Sequence, residues 1–144
     1  MYYMIITSNC QPYLKLTTIN TYVIICIVGV NMEHYKLVLP EHMNHYNNLF
    51  GGYLLKWIDE FSYITVNLDY PNHNFVTISL NNVEFKHNIK SGNILCFDIT
   101  NIKKGNTSVQ YKINVYKEKD KEKILFQTDI TFVNIDNLGK KKIL

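Results

Sequence analysis

Hydrophobic positions around the middle of this chain follow a helical period. The positions that share one helix face, at steps of four and three, are Leu54, Ile58, Phe61, Thr65 and Leu68. This spacing predicts an amphipathic α-helix of roughly 27 Å. The helix is expected to begin near the paired glycines Gly51 and Gly52 and to end before the turn-forming residues 69–72.

From residue 74 onwards the period changes to two, which is typical of half-buried β-strands. Alternating apolar side chains predict four strands, around residues 76–85, 95–100, 109–115 and 124–132. In the first of them the alternation changes phase between Leu80 and Val83, so we expect a bulge or a sharp bend at 81–82. Turns are expected at 91–93 and 103–106, with a hairpin loop over the charged run 118–123.

A short strand at residues 35–39, stopped by Pro40, and a polar loop at 41–48 precede the helix. The element order is then one strand, one long helix and four antiparallel strands, with no internal repeat and no interdomain linker. A curved antiparallel sheet of about five strands, wrapped around one long central helix, satisfies this order. The sequence therefore predicts an α+β fold.

Residues 1–31 do not continue this pattern. The mostly apolar segment 16–30 is too short and too polar for a membrane span, and no small-residue cleavage site follows it. Three interpretations stay open: a dispensable or wrongly assigned leader with translation starting at Met32, an ordered appendage, or a segment with a targeting or membrane role. We treat residues 1–31 as a leader or appendage and residues 32–144 as one domain.

Composition narrows the class of protein. The 144 residues are 47% hydrophobic and 19% charged, which indicates one globular domain with a sizeable core. The net charge of +3 does not indicate a nucleic-acid binder, although it suits an anionic ligand. Cys10, Cys26 and Cys96 are odd in number and far apart, so neither a disulfide framework nor a paired-cysteine metal site is indicated. This cysteine usage fits a reducing, cytoplasmic compartment.

Two features of the predicted helix suggest chemistry. Gly51 and Gly52 let a ligand approach the backbone, and the free N–H groups at a helix start favour a carbonyl oxygen or an anion. Asp59 lies about two turns further on, as either a solvated carboxylate or a group held over a cleft. His42 and His45 lie three apart in the preceding loop, but no third ligand stands at diagnostic spacing, so we expect no metal site. A serine-nucleophile elbow and a Walker loop are also lacking in the sequence.

The element order and the loop–helix motif together resemble the hotdog-fold acyl-CoA thioesterase family. In that family an acidic residue, an Asn and a Gly precede Phe-Gly-Gly and a helix that carries a catalytic carboxylate. Asn44 matches the Asn, and Asp59 falls on the carboxylate. Phe50, Gly51 and Gly52 match the helix start. The resemblance extends over residues 35–135 and implies the hotdog fold for the domain.

The resemblance also implies an activity, the hydrolysis of acyl-CoA thioesters to free CoA and a carboxylic acid. Asp59 would act as a general base on water or as the nucleophile, a choice that stays open. Asn44 would orient the water or the thioester, or else it only turns the loop. The backbone N–H of Gly52 would stabilise the oxyanion, or else glycine is needed there only for the turn. Asn44 and Asp59 of one site resemble residues from opposite subunits, so we expect a dimer, with a trimer of dimers as a larger assembly.

A substrate-binding set follows from the same resemblance. Phe50 and Gly51 lie at the helix start, and Phe85 lies on a facing strand. The remaining members lie in or next to a turn that looks like the Gly-Arg-Ser-Ser segment with which the family approaches CoA, and they are Lys103, Lys104, Gly105, Thr107 and Ser108. The lysines would hold CoA phosphates as point charges, although solvated turn residues fit the same pattern. Three positions depart from the family pattern, since His42 replaces the acidic residue, Asn47 the loop glycine and Asn106 the arginine.

The expected partners are acyl-CoA, which belongs to fatty acid metabolism, and a second copy of the chain. No cofactor is expected because the CoA thioester is the substrate, and neither nucleic acid nor a membrane is an expected partner. The departures at His42 and Asn106 motivate an alternative, a non-catalytic acyl-CoA-binding module on the same fold. A dehydratase acting on hydroxyacyl thioesters is a third option, because His42 with Asp59 would mimic the His/Asp pair of that chemistry.

Overall fold

The computed structural model describes residues 16–19, 22–25 and 31–144. The chain divides into two compact units, Met1–Val30 and Asn31–Leu144. In the first unit, strands β1 (Leu16–Ile19) and β2 (Tyr22–Ile25) pair antiparallel. The interpretation of residues 1–31 as a leader or appendage lies largely outside the described residues and stays a prediction. Of the helices that the structure describes, none has the length and apolar character that crossing a bilayer requires.

In the second unit one long helix packs on a five-stranded antiparallel sheet, which confirms the predicted α+β class. The elements are β3 (Met32–Leu37), a short 3-10 helix (Pro40–His42), α1 (Gly51–Asp69), β4 (Phe75–Phe85), β5 (Ile94–Lys104), β6 (Ser108–Lys117) and β7 (Asp120–Asn134). The strand order is β3-β5-β6-β7-β4, so β3 and β4 are the two edges of this sheet.

The core lies between α1 and the inner face of the sheet. On α1 the buried positions recur at helical steps and are Leu54, Trp57, Ile58, Ser62, Thr65 and Val66. On β6 every second residue is buried, as the alternation predicts, and these residues include Tyr111 and Ile113. On β5 the predicted residues Leu95, Phe97 and Ile99 are buried, and so is Cys96 between the first two. Leu68, which the sequence placed on the buried face of the helix, is instead 62% exposed. On the helical wheel Leu68 lies within about 40° of Leu54, but the last buried residues of α1 are Thr65 and Val66. The buried face at the end of the helix therefore lies on the other side of the predicted stripe.

A bulge in β4 brings the end of that strand to the start of α1. The pairing of β4 with β7 shifts register between Thr77 and Ser79 and again between Asn81 and Glu84. Asn82 has a φ of 56°, in the left-handed region that asparagine tolerates better than most residues. The expected bulge at 81–82 is therefore present, and Phe85 beyond it packs against the first helical residue.

Two turn boundaries differ from the sequence-based expectation. Lys103 and Lys104 still belong to β5, so the turn after that strand is residues 105–107. The expected hairpin loop at 118–123 is much shorter, because β6 runs to Lys117 and β7 begins at Asp120. At the end of this hairpin Lys117 pairs with Asp120, and the register then shifts so that Tyr116 pairs with Ile124. Residues 121–123 therefore have no partner on β6.

Candidate active site

The loop before α1 is closed by backbone hydrogen bonds. Met43 and Leu49 form an antiparallel bridge at its base, and the N–H of Asn44 donates to the carbonyl of Asn48 at 2.7 Å. Asn47 has a φ of 55°, so it takes the left-handed conformation at the position where the resemblance calls for glycine. The loop is thus a compact turn that delivers the chain to the helix start in a fixed direction.

The side chain of Asn44 takes part in this turn. Its oxygen accepts hydrogen bonds from the backbone N–H groups of Tyr46 and Asn48, at 2.9 and 3.1 Å. Asn44 therefore shapes the loop, which is the non-catalytic role that the sequence leaves open for it. Its amide nitrogen donates to no other described residue, so an N–H donor is what this side chain can still present to a ligand.

The first turn of α1 carries donors without partners. Phe50, the residue before the first helical residue, is extended, with ψ 126°, and supplies no side-chain cap. The first turn contains no acidic side chain. Within the part of the chain that the structure describes, neither the N–H of Gly51 nor that of Gly52 donates to an acceptor. The helix start therefore offers two N–H groups and the positive end of the helix dipole to an incoming oxygen.

Both glycines sit under aromatic rings. A Cβ on Gly51 would lie 3.2 Å from the ring of Phe85, and a Cβ on Gly52 would lie 2.7 Å from the ring of Phe50. Both rings are more than half exposed, at 57% and 56%. Phe85 is therefore not a core residue, but it packs edge-on against Phe126 with ring centroids 4.8 Å apart. Glycine is needed here for close approach of the rings to the helix backbone.

A cleft of about 130 Å³ opens beside Gly51. Its apolar walls and polar rim come from the helix start, the end of β4 and the segment that follows it, and include Leu49, Leu54, Phe85, His87, Asn88 and Ile89. Leu49, Leu54 and Ile89 are all buried. An apolar group bound next to the free helix N–H groups would be held by contacts of this kind.

The carboxylate of Asp59 is held by a residue of the sheet. The hydroxyl of Thr77, on β4, donates a 2.7 Å hydrogen bond to Oδ1 of Asp59. The side chain of Asp59 is exposed in the single chain, and no described lysine, arginine or histidine forms an ion pair with it. One oxygen is thus oriented by Thr77, and the other is free to accept a proton from water or to meet a ligand.

The turn after β5 is closed by a short backbone hydrogen bond at a glycine. The N–H of Gly105 donates to the carbonyl of Ser108 at 2.7 Å, and a Cβ on Gly105 would lie 3.0 Å from the Ser108 hydroxyl oxygen. The carbonyl of Thr107 accepts the N–H of Asn134 at 2.9 Å. Lys103 and Lys104 are exposed just before this turn. The turn is therefore a rigid, basic corner of the sheet.

The predicted site residues do not form one cluster within a chain. The ammonium group of Lys104 lies 5.1 Å from the ring centroid of Tyr70, which directly follows the last residue of α1. The basic turn is therefore at the C-terminal end of the helix, whereas Gly51 and Gly52 are at its N-terminal end. A helix of 19 residues is about 28 Å long. The predicted site residues of one chain are therefore divided between the two ends of α1.

Thr77 is a residue that the sequence did not single out. It belongs to a strand with several hydroxyl and amide side chains, and nothing in the alternation distinguishes it from Ser79. Only the packing of β4 across α1 brings it to Asp59. Among the described residues, no three side chains of His, Cys, Asp or Glu are grouped in a way that would hold a metal ion.

Comparison with known proteins places these features in a family context. A family model of the thioesterase superfamily matches residues 46–124. The VdlD protein of Helicobacter pylori is 34% identical over 104 residues, which are 70% of this chain and 59% of VdlD. The chain thus spans well under two thirds of the length of that relative.

Two solved structures share the architecture. The acyl-CoA hydrolase of Staphylococcus aureus, in complex with butyryl-CoA, CoA and CoA disulfide, is 29% identical, with a TM-score of 0.69 over 78% of this chain and 68% of that chain. It has also been solved with an aspartate, a threonine or an asparagine replaced by alanine. A hexameric hotdog-fold thioesterase of Campylobacter jejuni is 26% identical, with a TM-score of 0.68 over 77% of this chain and 87% of that chain. These similarities confirm the expected hotdog fold.

Proposed function

Because the chain belongs to the thioesterase superfamily, we propose that it hydrolyses acyl-CoA thioesters to free CoA and a carboxylic acid. The observation that carries the proposal is the pairing of two features on one helix. The carboxylate of Asp59 is oriented by Thr77, and at the start of the same helix the N–H groups of Gly51 and Gly52 donate to no acceptor among the described residues. Thioester hydrolysis needs a base or nucleophile and a donor for the oxyanion, and α1 carries one of each. Because Gly52 and Asp59 lie seven residues, about 10 Å, apart along this helix, the two groups of one site come from the α1 helices of two copies of the chain.

Each group has a defined task in this reaction. Asp59 either takes a proton from the attacking water or attacks the thioester carbonyl itself. The carbonyl oxygen gains negative charge as the new C–O bond forms, and the N–H of Gly52 donates to it. The C–S bond then breaks and the sulfur leaves as CoA thiolate, which takes up the proton that the attacking water has released. Where Asp59 is the nucleophile, water hydrolyses the resulting acyl–aspartate anhydride, which releases the carboxylic acid and restores the carboxylate. The amide nitrogen of Asn44 donates to the water or to the thioester oxygen, while its own oxygen stays in the loop turn.

The acyl-CoA hydrolase of Staphylococcus aureus supports these assignments. The residues replaced in it are of the same three types as Asp59, Thr77 and Asn44. The asparagine and the aspartate of that enzyme lie as many positions apart as Asn44 and Asp59 do. Because that protein was solved with butyryl-CoA and CoA, the agreement favours a CoA thioester as the ligand of this chain.

A second copy of the chain completes the proposed site. β4 is an edge strand, and an edge strand presents unpaired backbone groups that favour pairing with another chain. Apolar side chains on this strand are exposed, since Val76 and Ile78 are 38% and 56% accessible. Tyr63 and Ile64 are exposed on the adjacent helix. The hexameric assembly of the Campylobacter relative supports a homo-oligomer built from dimers.

The basic turn of the second copy would then hold the nucleotide part of CoA. Lys103 and Lys104 supply positive charge, and Thr107 and Ser108 supply hydroxyl donors close to the backbone of Gly105. At the other end Phe50 and Phe85 flank the pantetheine arm over the two glycines, next to the apolar cleft. We also place the reaction in the cytoplasm, because the buried free thiol of Cys96 suits a reducing compartment.

The geometry of His42 argues against the dehydratase alternative. Its Nδ1 accepts the backbone N–H of Leu39 at 2.9 Å, and the side chain is almost fully buried. An imidazole engaged in this way has no free basic nitrogen to share a proton with Asp59.

Thiol release from acyl-CoA substrates of short, medium and long chain length tests the proposal. The Asp59→Asn variant is expected to lower kcat by about two to four orders of magnitude, the usual contribution of a general base. Glu60→Gln is the matched control, because Glu60 is the neighbouring exposed carboxylate, and it should keep the parent rate. Equal rates for Asp59→Asn and the parent would contradict the role of Asp59. Tight acyl-CoA binding by calorimetry without any thiol release would indicate the non-catalytic module instead.

A further inference from the structure

His42 is a polar residue in an apolar position. It is 7% exposed, and it ends the short 3-10 helix Pro40–His42. Its Nδ1 accepts the backbone N–H of Leu39 at 2.9 Å. The nearest carboxylate, that of Glu41, lies 3.9 Å from Nε2 and is largely exposed. The ring therefore acts as a hydrogen-bond acceptor that holds its own turn in shape.

The same residue is joined to the first turns of α1. Its backbone carbonyl accepts the N–H of Phe50 at 2.9 Å, and Phe50 directly precedes the two free N–H groups of the helix start. Its ring lies 4.8 Å from the ring of Tyr53 and 4.8 Å from that of Trp57, which it meets edge-on. The carbonyl of His42 thus fixes the turn Pro40–His42 to the residue before Gly51, and its ring fixes the same turn to α1 after Gly52.

We propose that His42 is a positioning residue that sets the direction of the helix-start N–H groups toward the thioester oxygen. The inference rests on the proposed function, because it assigns a task in that reaction. His42 itself touches no reacting atom. Without the Nδ1 acceptor the turn keeps only its backbone bonds, such as the one from the His42 N–H to the Leu39 carbonyl at 3.0 Å, and the N–H of Leu39 loses its partner. We expect the His42 carbonyl that holds Phe50 to shift as the turn loosens. Oxyanion donors act only when they point at the place where charge develops, and a displacement of about 1 Å can lower a rate about a hundredfold.

Two substitutions separate this role from simple packing. In His42→Asn the side-chain oxygen stands close to where Nδ1 stands, so the turn keeps its acceptor while the aromatic contacts are lost. In His42→Leu the apolar bulk against Tyr53 and Trp57 is kept, while the acceptor is lost. His45→Leu is the control in the same loop, because His45 is exposed and its ring contacts only Tyr46 among the described aromatic rings.

Steady-state hydrolysis of an acyl-CoA is measured for the three variants and the parent, together with thermal unfolding. The emission of Trp57, the only tryptophan of the chain, reports on the packing around His42. We expect His42→Leu to lower kcat about tenfold or more with KM changed less than about threefold, and His42→Asn to recover most of the loss. Trp57 emission should change more in His42→Asn than in His42→Leu, because only His42→Leu keeps the bulk against Trp57. The variant with the larger change in packing is thus expected to be the faster enzyme.

Three results would overturn the inference: parent kcat in folded His42→Leu, equal losses in His42→Asn and His42→Leu, or the same loss in His45→Leu. A rise in KM alone would also contradict it, because misdirected oxyanion donors act on the transition state. Failure of the proposed function looks different, since the parent itself would then release no thiol.

Discussion

Replacing Thr77 with valine removes one hydroxyl and keeps the shape of the side chain. In the parent this hydroxyl donates to Oδ1 of Asp59 at 2.7 Å, and a hydrogen bond to a charged group contributes about 1.5–3 kcal/mol. Because Asp59 is exposed in the single chain, water replaces part of the lost bond and the low end of that range applies. Without this bond the oriented carboxylate loses about 1.4 kcal/mol relative to its other rotamers, which corresponds to an about tenfold lower population of the reactive orientation. We therefore expect Thr77→Val to lower kcat about tenfold.

The assay is steady-state thiol release, with the melting temperature as the measure of folding. Valine is favoured in strands, so the melting temperature should not fall. Thr77→Ser restores the hydroxyl and should recover the rate to within about threefold of the parent. Thr131→Val is the matched control, because Thr131 lies on the neighbouring strand β7 and should be silent. The reasoning is refuted if Thr77→Val keeps the parent kcat, or if Thr77→Ser is as slow as Thr77→Val.

Three further substitutions test other parts of the account. Gly51→Ala places a Cβ 3.2 Å from the ring of Phe85. We therefore expect kcat/KM for acyl-CoA to fall while the melting temperature changes little. An unchanged kcat/KM would show that the ring of Phe85 has no part in the site. Lys104→Gln should raise KM for acyl-CoA several-fold and leave KM for an acyl-pantetheine, which lacks the nucleotide, unchanged. Burial raises the pKa of Asp98. Its Oδ1 and the Oδ1 of the opposing Asn114 have no hydrogen-bond partner within the described part of the chain. Asp98→Asn should therefore stabilise the protein by about 1 kcal/mol at neutral pH. In the folded parent Asp98 takes up a proton as the pH falls through its raised pKa, so the stability difference between Asp98→Asn and the parent should shrink in acid. Denaturant unfolding at several pH values measures this difference. A difference that does not depend on pH would show that the charge of Asp98 is not its cause.

The fold was predictable because its signals are local. Period-two alternation placed the buried side chains of β5 and β6 correctly, since one face of each strand meets the core. The change of phase before Val83 located the bulge that Asn82 makes. The alternation of Val76 and Ile78 was read correctly as a common face, but that face is exposed in the single chain. A hydrophobic pattern reports that a face is to be covered and does not say whether the same chain or a second copy covers it.

The site was predictable only in its local part. The helix start at Gly51 follows from sequence signals within a few residues of it. The partner of Asp59 does not, because Thr77 is brought to it by the packing of a strand across the helix. The role of His42 was hidden for the same reason, since sequence spacing shows a departure from the family pattern but not a buried acceptor. Lys104 lies near the C-terminal end of α1 and Gly51 at its N-terminal end. This separation depends on sheet topology, which residue spacing does not encode.

The most direct test of a site shared between two copies is complementation. Asn44→Ala and Asp59→Asn are purified separately, shown to be folded and slow, then unfolded and refolded together. If one site draws Asn44 from one copy and Asp59 from the other, each hybrid dimer contains one site with both residues intact. Random pairing then restores roughly a quarter of the parent activity. A mixture that releases thiol no faster than the separate variants would contradict the shared site.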